Sequence, residues 1–317
     1  MISVIKTLSV RITQIALVAI IVTIGTSLLV RLVPGDPALT ILGDKATPEA
    51  LQALHTELGI DKPVLQQVLD AFGRLLQGDL GTSFAYRGQD VITLIGPALG
   101  VTGSLAATAI VLSVIVGVPA GLGLALVRRS GLDLLGRLLV IVLLALPSFM
   151  AALILLYTLS LRLGLAPAGG WAGTWPSNFQ YLWLPAVALS AYMTALIARA
   201  VRHAAMEAMA LPFVEAARTR GVPRYRIVLA HILPNALLPV ITLVGFNAGI
   251  LVSGAVVTET VFALPGLGAQ LLQAMGSRDL PVVQAIALLT AIAIVVFNLL
   301  ADLLNIAVDP RIRKTRS

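Results

Sequence analysis

At 317 residues, 58% hydrophobic and only 12% charged, with a mean hydropathy of +0.97, this chain has too few polar side chains to cover a water-soluble globule; it is a membrane protein. Its net charge of +7 sits in loops between apolar runs, and no basic patch is interleaved with aromatic residues, so nucleic acid is not an expected partner. The absence of cysteine excludes disulfides, thiolate metal sites and a cysteine nucleophile.

A spanning helix needs about 20 apolar residues, because roughly 1.5 Å of rise per residue must cross about 30 Å of hydrocarbon. Six windows meet or approach that length: 12–30, 101–127, 138–161, 182–198, 236–258 and 280–301. None holds an Asp, Glu, Lys, Arg or His. The fourth is short, but Tyr181 and Trp183 suit an interfacial anchor that extends its reach. The prediction is an all-α membrane protein with six transmembrane helices. The first run follows Lys6 and Arg11 in the manner of a signal peptide, yet it is long and no small-residue cleavage site closes it, so a retained helix is expected.

Orientation follows from the basic residues of the loops. With the N-terminus inside, the inner segments hold Lys6, Arg11, Arg128, Arg129, Arg137, Arg199, Arg202, Arg218, Arg220, Arg224, Arg226, Arg311, Arg313, Lys314 and Arg316, the larger share of the 22 lysines and arginines. The outer segments hold Arg31, Lys45, Lys62, Arg74, Arg87, Arg162 and Arg278. Both termini are therefore expected in the cytoplasm.

Three regions divide the chain: an N-terminal helix with an extracytoplasmic segment (1–100), a five-helix core (101–310) and a basic tail (311–317). The outer segment is acidic, and two helices are readable in it. Thr47 caps one, with Pro48 at its first position and Gly59 past its end. Asp61 caps another that runs to about Gln77, with Gly78 as its stop. The segment is either a folded loop packed on the helix ends or a docking surface for an external partner. In the second span, Gly117, Pro119, Gly121 and Gly123 are expected to serve close helix packing. The loop 163–179, with Trp171 and Trp175, is expected on the outer side at headgroup level.

Between the fourth and fifth spans lies a polar, arginine-rich stretch with two or three short helices. Leu211-Pro212 opens one, since proline at a first helical position gives up no needed hydrogen bond. Phe213 to Arg220 make about two turns, Gly221 ends them in the left-handed conformation, and Pro223 starts the next helix. A two-turn helix is not stable alone; Met206, Met209, Leu211, Phe213 and Val214 give it apolar area, and Ala216 and Ala217 allow close approach. It either meets a partner groove or lies on the membrane surface.

Residues 215–234 resemble the EAA loop of ABC importer permeases, whose pattern is Glu-Ala-Ala, three residues, Gly, nine residues, Ile, one residue, Leu-Pro. Glu215, Ala216, Ala217, Gly221, Leu233 and Pro234 match in register, and His231 stands where the general pattern has isoleucine. That departure resembles the dipeptide, oligopeptide and nickel branch. So do Arg31-Leu32-Val33-Pro34-Gly35-Asp36-Pro37, Leu58-Gly59-Ile60-Asp61-Lys62-Pro63 and Gly78-Asp79-Leu80-Gly81. Further along, Glu259-Thr260-Val261-Phe262, Pro265-Gly266-Leu267-Gly268, Arg278-Asp279 with Pro281-Val282-Val283, and Asp309-Pro310-Arg311-Ile312-Arg313 agree with it too. The resemblance covers nearly the full length.

The resemblance implies a type I ABC importer permease fold in the bacterial cytoplasmic (inner) membrane. It implies a heterodimer with a second homologous permease, two cytoplasmic ABC ATPases and an extracytoplasmic solute-binding protein. This subunit is then not an enzyme: it has no Walker A motif and binds no cofactor or metal, while ATP and Mg are used by the ATPases. Phe213, Glu215, Ala216, Ala217, Arg218, Gly221, Leu233 and Pro234 are the expected ATPase-coupling residues. Gly245, Asn247, Ser253 and Gly254 are candidates for the translocation path, or for helix packing, and Glu259 for a gate at the outer mouth or a solvated helix end. His231 is expected to be packed rather than a metal ligand, since His55 and His203 form no cluster with it. The implied activity is import of di- or oligopeptides by alternating access. Nickel, a metal chelate or glutathione are the alternatives, and Gly169-Gly170-Trp171 looks more like oligopeptide than dipeptide members. An ion-coupled secondary carrier is the remote rival, disfavoured by charge-free spans.

Overall fold

The computed structural model describes residues 11, 13–25, 37–42, 46–58, 61–86, 88–127 and 131–308. The motif Arg31–Asp36, the Gly59 helix stop, Arg128, Arg129 and the basic tail lie outside the described residues. Within them the protein is helical, with one isolated antiparallel bridge, Thr82 to Asp90, and no strand.

The first helix, α1 (Thr13–Gly25), falls on the first predicted span, whose remaining residues to Val30 are among those not described. Then come α2 (Pro37–Leu42), α3 (Pro48–Leu58) and α4 (Val64–Leu76). Thr47 caps α3 as predicted, its hydroxyl accepting the Ala50 N–H at 3.2 Å. However, α4 begins at Val64 and not beside Asp61. Pro63 holds the residue before it away from helical angles, and Lys62 instead reaches forward to the Asp70 carboxylate at 2.6 Å. That ammonium holds the Asp70 carboxyl below its ordinary range. Gly78 follows the helix with φ +75°.

Among the described residues, four helices are long and apolar enough to cross a bilayer: α5 (Val91–Leu126), α8 (Phe179–Met209), the continuous helix Arg224–Val261, and α13 (Leu280–Val308), whose apolar stretch is Leu280–Leu304. The predicted third span, 138–161, is not one straight helix. It is α6 (Gly131–Ala145) and α7 (Ser148–Leu155, continued as π-helix over Leu156–Arg162), bent by 107°. Pro147 causes the break. It has no N–H to give, it sits in extended backbone at φ −60° and ψ 141°, and it bars Leu146 from the helical region. Each arm has 15 residues by these bounds, about 22 Å of rise, so neither crosses a membrane alone.

The chain divides into two compact units, Met1–Thr102 with Pro265–Val295, and Gly103–Leu264 with Val296–Ser317. In the first, the start of α5, α12 (Leu267–Gly276) and the start of α13 bury Val91, Ile95, Ala98, Leu267, Ala274, Val282, Ala285 and Ile286 against one another. Thr102 accepts the Leu267 N–H at 2.8 Å and so caps α12. In the second unit α8 is the central element, packed by α6, α7 and α11 (Leu233–Val261), with Leu182, Leu184, Met193, Ile197 and Val201 buried.

Of the glycines of the second span, Gly117 and Gly121 serve close packing as expected, and Gly123 does not. A Cβ on Gly121 would lie 2.4 Å from the Ala198 carbonyl oxygen, and one on Gly117 2.9 Å from the Thr194 oxygen, whereas Gly123 meets nothing within 4 Å. Gly121→Ala must therefore push two backbones apart, at about 1–3 kcal/mol. It is expected to lower the thermal midpoint in detergent, and Gly123→Ala to leave it unchanged.

Candidate functional site: the loop joining α8 to α11

α8 does not stop where its apolar stretch does. It continues through Arg199, Arg202, His203 and Glu207 to Met209, because the interspersed alanines keep helix propensity high in water. The chain then turns at Ala210-Leu211 into α9 (Pro212–Thr219), with Leu211 extended and Pro212 at the first position. Glu215 in the first turn and Arg218 in the last complement the helix dipole. Gly221 ends the helix at φ +76°. The Gly221 N–H donates to the Arg218 carbonyl at 3.0 Å and the Val222 N–H to that of Ala217 at 3.1 Å, the paired bonds of a Schellman cap.

The next helix begins after Pro223 as predicted, but it does not end before the membrane. α10 (Arg224–Ile227), a π-helical turn (Val228–Ile232) and α11 form one helix of 38 residues, Arg224–Val261. Of the two or three short helices expected here, only α9 stands free; its flanks belong to long helices. Pro234 explains the π turn. Inside a continuous helix it withdraws one N–H and crowds the carbonyl four residues back, and a wider turn relieves that crowding. The Asn235 side chain donates to the His231 carbonyl at 2.6 Å.

α9 is held by a few side chains and presents the rest. Val214 is fully buried and Ala217 half-buried, while Phe213, Glu215, Ala216 and Arg218 are exposed. The Phe213 ring meets His231 edge-on at 5.9 Å, which places His231 in packing. His55 and His203 have Asp61 and Glu207 as neighbours, at 3.9 and 3.5 Å, and no group of three metal-ligating side chains occurs among the described residues. Leu233 is half-buried and Pro234 exposed at the start of α11. The eight coupling candidates thus lie on α9, its cap and the first turn of α11, around a small helix with an open face.

Farther along α11 the candidates separate. Gly245 is buried, and a Cβ there would fall 1.8 Å from that of Ala301. Asn247 is 5% exposed and returns its amide to the Leu243 carbonyl at 2.9 Å. Gly254 faces Leu189, whose Cδ1 would lie 3.4 Å from an added Cβ. Ser253 is exposed, on the face that carries Phe246, Ile250 and Val257. Glu259 is not a solvated helix end, for it is fully buried. The chain turns back at Ala263 (φ 48°), the Leu264 N–H returns to the Glu259 carbonyl at 2.8 Å, and Phe262 and Leu264 are buried with it.

An ion pair near this loop, buried at its carboxylate, has no sequence signal of its own. Asp133, in the first turn of α6, is 2% exposed and receives Arg202 from α8, Nε to Oδ1 and Nη2 to Oδ2 at 3.2 Å each. The two residues are 69 positions apart, beyond any local pattern.

Residues 117–314 match the model of the family described as binding-protein-dependent transport system inner membrane component, and residues 4–117 match that of its N-terminal region. The chain belongs to this family. It is 38% identical over 306 residues to a putative peptide transport system permease protein of Brucella abortus, covering 96% of this chain and 97% of that one. It is 34% identical to the dipeptide transport system permease protein of Lactococcus lactis (93% and 94% covered) and 34% identical to a probable D,D-dipeptide transport system permease protein of Escherichia coli (92% of each). Among solved structures, an inward-facing form of the MetNI methionine ABC transporter aligns over 69% of this chain and 97% of its own, with TM-score 0.58 and 20% identity. That likeness bears on the fold alone, and the fold is that of a type I importer permease. The permease is thus a multi-pass inner-membrane subunit of an ABC importer, not itself catalytic, and it works with ATPase and binding-protein partners.

Proposed function

We propose that this permease imports di- or oligopeptides as one of two homologous, non-identical membrane subunits, above two cytoplasmic ATPases and below an extracytoplasmic binding protein. The observation that carries the peptide assignment is the near full-length similarity to relatives named as peptide permeases. Both termini and the α8–α11 loop lie in the cytoplasm on this reading. The open face of α9, with Phe213, Glu215, Ala216 and Arg218, enters a cleft on one ATPase, and the Gly221 cap fixes its angle to α11 beyond Leu233 and Pro234. ATP with Mg, bound by the ATPases and not by this chain, draws the two coupling helices together and opens the outer face. Hydrolysis returns the inward-facing state, so each state must bind its partners with different free energy. The exposed α11 face with Phe246, Ile250, Ser253 and Val257 meets the sister permease across the solute path. Gly245, Asn247 and Gly254 hold α11 against its own chain, and Glu259 braces the outer mouth.

Affinity purification of the tagged chain from mild detergent is expected to recover a second permease, ATPases and a binding protein. The reconstituted complex is expected to take up tetra-alanine only with ATP and binding protein. Uptake of nickel but not peptide would overturn the cargo, and uptake without ATP by the chain alone would return the ion-coupled carrier.

A further inference from the structure

α6 begins at Gly131 and carries Asp133 in its first turn, where the helix dipole favours a carboxylate. Arg202 reaches it from α8 as a two-pronged fork, and Arg137, one turn on in α6, approaches the same carboxylate at 3.6 Å. The Asp133 side chain is 3% exposed and that of Arg202 20%. Such a pair is a poor way to gain stability, since apolar residues of similar volume do as well. What the fork provides is one fixed orientation between two helices.

Its position in the chain gives that orientation a use. From Arg202, α8 runs only to Met209 before the chain turns into α9, so the pair lies about two helical turns from the coupling helix. On α8 just before Arg202, Ala198 and Val201 lock against Gly121 of α5. α6, for its part, leads to the break at Pro147 and then to α7, which packs on both α8 and α11. We propose that the Asp133–Arg202 pair is the joint that carries a displacement of α9 into α6 and, past the bend, α7. The two residues are positioning residues for coupling, and the proposal rests on the reading of α9 as the ATPase contact.

The test uses the complete importer in proteoliposomes, with spin labels at Leu135→Cys and Glu207→Cys, two exposed positions in a chain without native cysteine. With the pair intact, the Leu135–Glu207 distance stays the same when ATP and vanadate are added. With Asp133→Asn it shifts or broadens, and tetra-alanine imported per ATP hydrolysed falls about tenfold, within the range of a coupling free energy, while the ATPases still co-purify. Arg202→Lys, which keeps the charge but loses the fork, gives the same change to a smaller degree. An unchanged distance with unchanged uptake per ATP in both variants overturns the proposal. So does loss of the ATPases from both variants in step with uptake, the mark of a merely structural tie. Cross-linking from Thr219→Cys, an exposed position on α9, reads the underlying assignment: if it captures no ATPase subunit in the otherwise native importer, the coupling role of α9 falls as well.

Discussion

Gly221→Val is expected to cut ATP-dependent transport about tenfold or more, the size of a typical coupling free energy, while the chain inserts and assembles normally. The cause is conformational, not steric. Gly221 sits at φ +76° with no atom within 4 Å of where a Cβ would be. An L-residue held there costs roughly 1–2 kcal/mol, and a β-branched one fits the left-handed region least well. That sum is too small to unfold the permease, and the chain relaxes instead by losing the two cap bonds from Gly221 and Val222, which frees α9 from its angle to α10. Gly221→Asn should retain most of the transport, because asparagine tolerates positive φ. Uptake of tetra-alanine and binding-protein-stimulated ATP hydrolysis, measured side by side, check this. Valine and asparagine variants that both transport like the parent would remove this loop from coupling.

What could be read in the sequence was whatever local chemistry controls. Thr47-Pro48 and Leu211-Pro212 mark helix starts because a hydroxyl and a missing N–H act on their own turn, and Gly221 marks an end because only glycine takes its conformation freely. The apolar windows found the membrane stretches but not the helix ends, since α8 runs on past its window through charged residues that carry no hydropathy signal, and α5 begins before its window at Val91, where Val91, Ile95 and Ala98 pack on α12 and α13. The break at Pro147 escaped notice because hydropathy is indifferent to direction: 138–161 is equally charge-free whether straight or bent by 107°. The π turn at Val228–Ile232 answers a proline that the family pattern had presented only as a motif residue.

Long-range pairs were the real loss. Nothing near Asp133 in sequence distinguishes it from any solvated acid at a loop end, and its partner is set by how α6 lies on α8. Glu259 misled in the opposite sense. It stands at the end of an apolar run, where a carboxylate ordinarily meets water, but the turn at Ala263 returns the chain and closes the site.

Asp279→Ala is expected to release the loop that precedes α5. Asp279 is 1% exposed and follows Arg278, which is held at φ 57°. Its carboxylate accepts the Ser83 hydroxyl and the N–H groups of Phe84 at 3.0 Å and Ala85 at 3.2 Å. Ser83 Oγ in turn accepts the Tyr86 N–H at 2.8 Å. Hydrogen bonds to a charged acceptor contribute about 1.5–3 kcal/mol each, and alanine leaves their donors without it, so a net local loss of about 3 kcal/mol is the conservative figure. At roughly 1.4 kcal/mol per factor of ten, amide exchange at Phe84 and Ala85 should quicken about 100-fold. Asp279→Asn keeps one acceptor oxygen and should fall between; Ser83→Ala loses one donor and one acceptor and should do less than Asp279→Ala. The clamp joins residues 83–86 to Asp279 and includes none of the coupling candidates, so ATPase subunits should co-purify with the Asp279→Ala variant as before. If its outer loop exchanged no faster than the parent's, the carboxylate would not be what holds that loop, and the packing of Leu80 and Leu94 on the α12–α13 core would have to suffice.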